Sequence, residues 1–124
     1  AIVSSFKEDL GNNLQNITDL LQSTGSEIEL ARINTVTDFE NTRYSNKIMT
    51  EFANKWKLNN AKTTIYNHEH FESGLYYYAN EAKLDIIIMG THGRKGLNHL
   101  YHGGSKTEDV IKRIETPVLS FRIN

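Results

Sequence analysis

The sequence predicts an α/β fold, an open and mostly parallel sheet with helices on both faces. Two observations carry that expectation. Five short β-rich runs alternate with four helical patterns along 124 residues, and strict alternation implies parallel strands joined by right-handed crossovers. The run "DIIIM" at 85–89 is apolar at every position after the first, the pattern of a strand buried on both faces. A chain of this length can bury a real core as one domain, so residues 1–124 read as a single unit.

The first strand is expected from Ile2 to Phe6. A helix follows from about Glu8, with Leu10, Leu14, Ile17 and Leu21 along one face, and Gly25 ends it near a C-cap. "EIELARIN" (27–34) is the second strand, with Ile28 and Leu30 alternating against charged neighbours before the pattern shifts at Ile33. The polar loop "TVTDFENTR" leads into a helix carrying Ile48, Phe52 and Trp56 at four-residue steps, with Trp56 in the core. "AKTTIYNH" is a third strand by its β-branched and aromatic content. From about Phe71 to Ala82 a third helix turns Leu75, Tyr78, Ala79 and Ala82 inward and leaves Tyr76 and Tyr77 outward. The fourth helix starts near Ser105, and "PVLSFRI" closes the chain as the fifth strand, with Pro117 at its entry.

Composition excludes several classes of function. Lys+Arg (14) and Asp+Glu (15) nearly cancel, which gives no electrostatic case for nucleic acid, where a basic face would be expected. The chain has no cysteine, so disulfides and thiolate metal sites are ruled out. No apolar run reaches the roughly 20 residues of a membrane span, and no signal-peptide pattern opens the chain. A cytoplasmic location is the default. The chain opens inside a strand without an initiator methionine, which points to a piece of a longer protein, its second half in particular.

In open α/β sheets ligands bind beyond the carboxyl ends of strands where the strand order reverses. The ends of strands one and four are therefore the candidates, with Ser4 and Ser5 at the first and Gly90-Thr91-His92-Gly93 at the second. Glycines there allow positive φ and close approach of backbone N–H groups to an anion. Ser105-Lys106-Thr107-Glu108 has the form of a capping box, and a helix N-terminus favours phosphate. Arg94 and Lys95 add positive charge beside it. Taken singly, each of these features is also ordinary turn or cap chemistry.

Gly90, Gly93 and Gly103 stand in the spacing G-x2-G-x9-G. In this, in "GTHGRKGLNHL" and in "TEDVIKRIETPVLSFRI", the chain resembles the universal stress protein family, most specifically over residues 85–123. The resemblance implies a Rossmann-like sheet in the order 3-2-1-4-5 and, in many members, ATP (with Mg) held by the glycine loop. It places Gly90, Gly93, Gly103, Gly104 and Ser105 against ribose and phosphates, with Arg94 supporting charge. Ile33 matches the position whose backbone faces the adenine. It also implies a homodimer, or a paired tandem domain, through the strand from Pro117 to Ile123.

Three positions depart from the family pattern. Gly104 stands where a Ser or Thr is usual, and the hydroxyl follows one place later at Ser105. Ser5 precedes Phe6 where the family commonly has an Asp that helps hold the adenosine. Lys106 replaces a small apolar residue.

The expected function is an ATP-binding regulatory or stress-response module. The alternative is a nucleotide-independent dimerisation domain with a degenerate glycine loop. No G-x-S-x-G elbow, G-x4-G-K-[ST] loop or H-E-x-x-H pair occurs, so no catalytic residue is assigned, and at most weak ATPase activity is expected. His92 is the nearest candidate base. His99 with His102, and His68 with His70 on one face of a strand, make incomplete metal sites unless Glu69 or His92 joins them; no metal is assigned.

Overall fold

The computed structural model describes residues 1–11, 13–91 and 114–123. They build a five-stranded parallel sheet in the order β3-β2-β1-β4-β5. The strands are β1 (Ile2–Val3), β2 (Glu29–Asn34), β3 (Lys62–Asn67), β4 (Ile87–Thr91) and β5 (Val118–Arg122). Between them run α1 (Asn13–Ser23), α2 (Thr42–Lys55) and α3 (Phe71–Ala82). The helix expected from Ser105 lies outside the described residues.

Alternate side chains of each strand point to opposite faces, and both faces are covered. Ile2, Leu30 and Ile88 pack with Leu14 of α1 and with Met49 and Phe52 of α2. Val3, Ala31, Ile33, Ile87 and Met89 pack with Leu75, Tyr78 and Ala79 of α3. Burial of this kind is worth roughly 1.5–3 kcal/mol for each large apolar side chain. Trp56 is half-buried at the edge of the α1/α2 side, tilted against Phe52.

Two sequence expectations need correction, each for a local reason. The first strand ends at Val3 rather than Phe6. Ser4 Oγ accepts from Phe6 N–H at 2.9 Å and Ser5 Oγ from Lys7 N–H at 3.4 Å, and such bonds compete with a strand ladder. The first helix begins at Asn13, not near Glu8. Gly11 sits at φ 76 and donates to Asp9 Oδ1 at 3.0 Å, a turn that a right-handed helix cannot include. Leu10 is nevertheless buried, from the loop. In β2 the apolar pattern moves at Ile33 from one face of the sheet to the other, as expected, while the register with β3 is unbroken from Glu29 to Asn34. Leu30 and Arg32 face one side and Ala31 and Ile33 the other, and all four are buried.

The helix ends follow side-chain chemistry. Gly25, at φ 70, closes α1, with Ser26 N–H donating to Leu21 O and Gly25 N–H to Gln22 O, a Schellman closure. Asn41 Oδ1 accepts from Tyr44 N–H at 2.8 Å and starts α2 two residues before the expected end of the polar loop. Helix α3 has the expected bounds, but Ala82 is exposed and Gly74 is buried instead. A Cβ at Gly74 would stand 2.7 Å from Ile33 Cγ2 and 2.9 Å from His68 Cβ, so glycine lets α3 lie close to the sheet.

Candidate functional site

The strand order reverses between β1 and β4, since β2 and β3 extend to one side of β1 and β4 and β5 to the other. A cavity of about 550 Å³ opens there, at the carboxyl ends of β1, β2 and β4 and the start of α3. Its size suits a small organic ligand. Ser4, Ser5, Ile33 and Gly90 all line it. Gly93, Arg94, Gly103, Gly104 and Ser105 lie outside the described residues, as do His92, His99, His102 and Lys106. A larger hollow of about 1030 Å³, near Ile28, Lys57 and Leu84, lies at the amino ends of the strands, away from the switch point.

The β1 side of the cavity is a serine turn. Each serine oxygen accepts a backbone N–H two residues on, which leaves each hydroxyl proton free to donate to a ligand. The chain then passes through Phe6 at φ 58, a costly conformation for a bulky residue. Phe6 is held there by burial and by edge-on contact with Phe52, with ring centroids 5.0 Å apart. Farther along the same loop, Gly11 N–H and then Lys55 hold the Asp9 carboxyl below its ordinary pKa.

The β2 side is a long-range polar network. Arg32 is 1% exposed and donates from Nη1 to Ser5 O at 3.3 Å, and from Nη2 to Asp38 O and Asp38 Oδ1, both at 3.1 Å. Its buried Nε has no acceptor among the described residues. Lys7 lies 3.3 Å from Glu40 Oε2 and 3.8 Å from Asp38 Oδ1. Buried Asn34 holds the same loop, accepting from Glu40 N–H at 2.9 Å and donating to Glu40 O at 3.1 Å.

The β4 side contributes Gly90, which remains inside the strand opposite Phe121. Its φ is not in the left-handed region, so the freedom expected there is not what this glycine supplies. A Cβ would stand 2.5 Å from Ile123 Cδ1 and 2.8 Å from Ile123 Cγ1. Gly90 thus admits the Ile123 side chain, which also lines the cavity.

The described wall mixes apolar Val3, Ile33, Phe71 and Met89 with carboxylates from Glu8, Asp38, Glu69 and Glu72 and one guanidinium, Arg32. Glu72 occupies the first turn of α3, where it already complements the positive end of the helix dipole. The α3 side of the cavity, lined by Glu69 and Glu72, is therefore unfavourable for an anion. Apolar walls with hydroxyl donors on one side suit a nucleoside.

His68 and His70 do not share a strand face, because β3 ends at Asn67. They form a turn in which His70 N–H donates to His68 Nδ1 at 3.2 Å, and His68 stacks on Tyr77. Among the described residues, no group of three or more histidines and carboxylates is arranged to hold a metal ion. Sequence reasoning missed Arg32 and Asp38. The available signal was an arginine between Ala31 and Ile33 in a strand buried on both faces.

The universal stress protein family model matches residues 14–122. The chain belongs to the universal stress protein family. It is 36% identical over 53 residues to universal stress protein Slr1230 of Synechocystis sp.. That match covers 43% of this chain and 18% of the relative, so the chain spans only a small part of that protein. Among solved structures, a universal stress protein in complex with cAMP superposes with a TM-score of 0.64 at 15% identity, over 99% of this chain and 96% of that one. At that identity the likeness establishes the shared fold, an open α/β sheet in the order 3-2-1-4-5. Family membership and the cAMP-bound neighbour make nucleotide binding a property to test in this chain. No helix among the described residues is long and apolar enough to cross a membrane.

Proposed function

We propose that this domain binds an adenine nucleotide, ATP with magnesium in the first instance, and acts as a regulatory or stress-response module. The observation that carries the reading is the cavity at the β1/β4 switch point, where Ser4, Ser5, Ile33 and Gly90 converge. The base lies against Val3, Ile33 and Met89. The serine hydroxyls donate to acceptors on the ligand, and the phosphates extend past Gly90 toward Gly93, Arg94, Gly103, Gly104 and Ser105. A relative of the same fold is described in complex with cAMP, which supports a ligand of this class.

The test is a thermal-shift titration of the full-length protein with MgATP, beside Gly93→Val. The reading expects a saturable rise in melting temperature for the unmodified protein, lost in the variant. No shift at millimolar MgATP would sink it.

A second reading has its own observation. Strand β5 is an edge strand, and its Val118 and Leu119 are each 42% exposed. An open edge of this kind invites pairing with another strand, so we infer that the segment from Pro117 to Ile123 pairs two domains, with or without nucleotide. Sedimentation with and without ATP tests this. Proline substitution within Leu119 to Arg122 is expected to give monomers.

A further inference from the structure

We propose that Asp38 is a sugar-binding residue, its carboxylate accepting hydrogen bonds from ribose hydroxyls so that the site selects ribonucleotides over deoxyribonucleotides. This rests on the nucleotide reading and adds to it a residue from the β2 side of the cavity.

The arrangement around Arg32 is costly. A guanidinium with 1% exposure has lost its hydration, and its carboxylate partner, 59% exposed, returns little through the ion pair alone. Arg32 is not saturated by its described neighbours either, because among the described residues its buried Nε meets no acceptor. As a device for stability the pair is poor.

As a device for position it is effective. One guanidinium grips both Ser5 O and Asp38 Oδ1, so the carboxylate is fixed beside the end of β1, on the cavity wall. Thr35 adds to the hold, since Asp38 N–H donates to Thr35 Oγ1 at 3.1 Å and Asp38 O accepts from Thr35 N–H at 3.3 Å. Among the described residues Oδ1 carries the contacts to Arg32 and Lys7, and none is made by Oδ2.

An ionised carboxylate only accepts hydrogen bonds. It repels phosphate and welcomes a group with two adjacent hydroxyl donors. An acidic side chain beyond the second strand meets the ribose in the same way in dinucleotide-binding sheets with this strand order. Glu69 and Glu72 also line the cavity, but no ion pair is made to either among the described residues. Of these three, Asp38 is the carboxylate whose position is set before a ligand arrives, and preorganisation reduces the cost of binding.

The experiment is isothermal titration of the full-length protein with MgATP, 2′-deoxy-ATP and 3′-deoxy-ATP, repeated on Asp38→Asn. The unmodified protein is expected to prefer ATP over at least one deoxy analogue by about tenfold, the value of a hydrogen bond to a charged acceptor. In Asp38→Asn the affinity for ATP falls by about tenfold and the preference disappears. ATP binding with equal affinity for both analogues overturns the proposal and leaves the nucleotide reading standing, as does a preference that survives in Asp38→Asn. Failure of all three nucleotides to bind overturns both. The sugar comparison needs no variant, so equal affinity for ATP and both analogues overturns the proposal even if Asp38→Asn folds poorly.

Discussion

Strands β1 and β2 lie side by side and end in opposite ways. β1 is two residues long and leaves the sheet through a turn made by its own serines. β2 is six residues long and ends in a network that joins Arg32, Asn34, Asp38 and Glu40 to Ser5, Lys7 and Asn67. The first end is local and offers donors. The second spans the sheet and offers a fixed acceptor. One cavity bordered by both can therefore orient an asymmetric ligand, with its acceptor groups toward β1 and its hydroxyl groups toward β2.

The contrast predicts that substitutions on the β2 side are costly and those on the β1 side mild. Arg32→Ala removes hydrogen bonds to Ser5 and Asp38 and leaves a cavity, and is expected to lower stability by about 3 kcal/mol in urea denaturation. A loss below about 1 kcal/mol would break the comparison. Gly74→Ala presses a methyl group onto Ile33, whose Cγ2 would lie 2.7 Å away. Overpacking there should cost about 2 kcal/mol by the same assay. Asn41→Ala removes the N-cap of α2, just beyond the β2 network, for a loss of about 1 kcal/mol. Ser5→Ala, on the β1 side, should change stability by less than about 0.5 kcal/mol. Titration with MgATP should still show a loss of severalfold in its affinity.

Much of the fold was readable from the sequence because periodicity and turn chemistry are local. The alternation of elements, the continuous apolar run of β4, Gly25 as a helix end and the bounds of α3 all come from neighbours within a few residues. The end of β1 and the start of α1 were misjudged where Ser4, Ser5, Asp9 and Gly11 redirect the backbone against the apolar pattern. Arg32 was not singled out, because charge in a strand ordinarily marks an exposed side. Its burial depends on Asp38 and Ser5, which are distant in sequence terms from any pattern a strand displays. Gly74 went unmarked for a similar reason: its requirement lies in Ile33, on β2, and His68, just past the end of β3. Of the candidate site, Ser4, Ser5, Ile33 and Gly90 do share one cavity. Their convergence follows from the strand order, which the family resemblance implied before any contact was known.

The central claim is that the cavity between the ends of β1, β2 and β4 holds the nucleotide. A crystal structure of the full-length protein grown with saturating MgATP tests it most directly. The account predicts the nucleoside in that cavity, touching Ser4, Ser5 and Ile33, with phosphates running past Gly90. Nucleotide seated in the hollow at the amino ends of the strands, or a β1/β2/β4 cavity left empty at saturating MgATP, would contradict it.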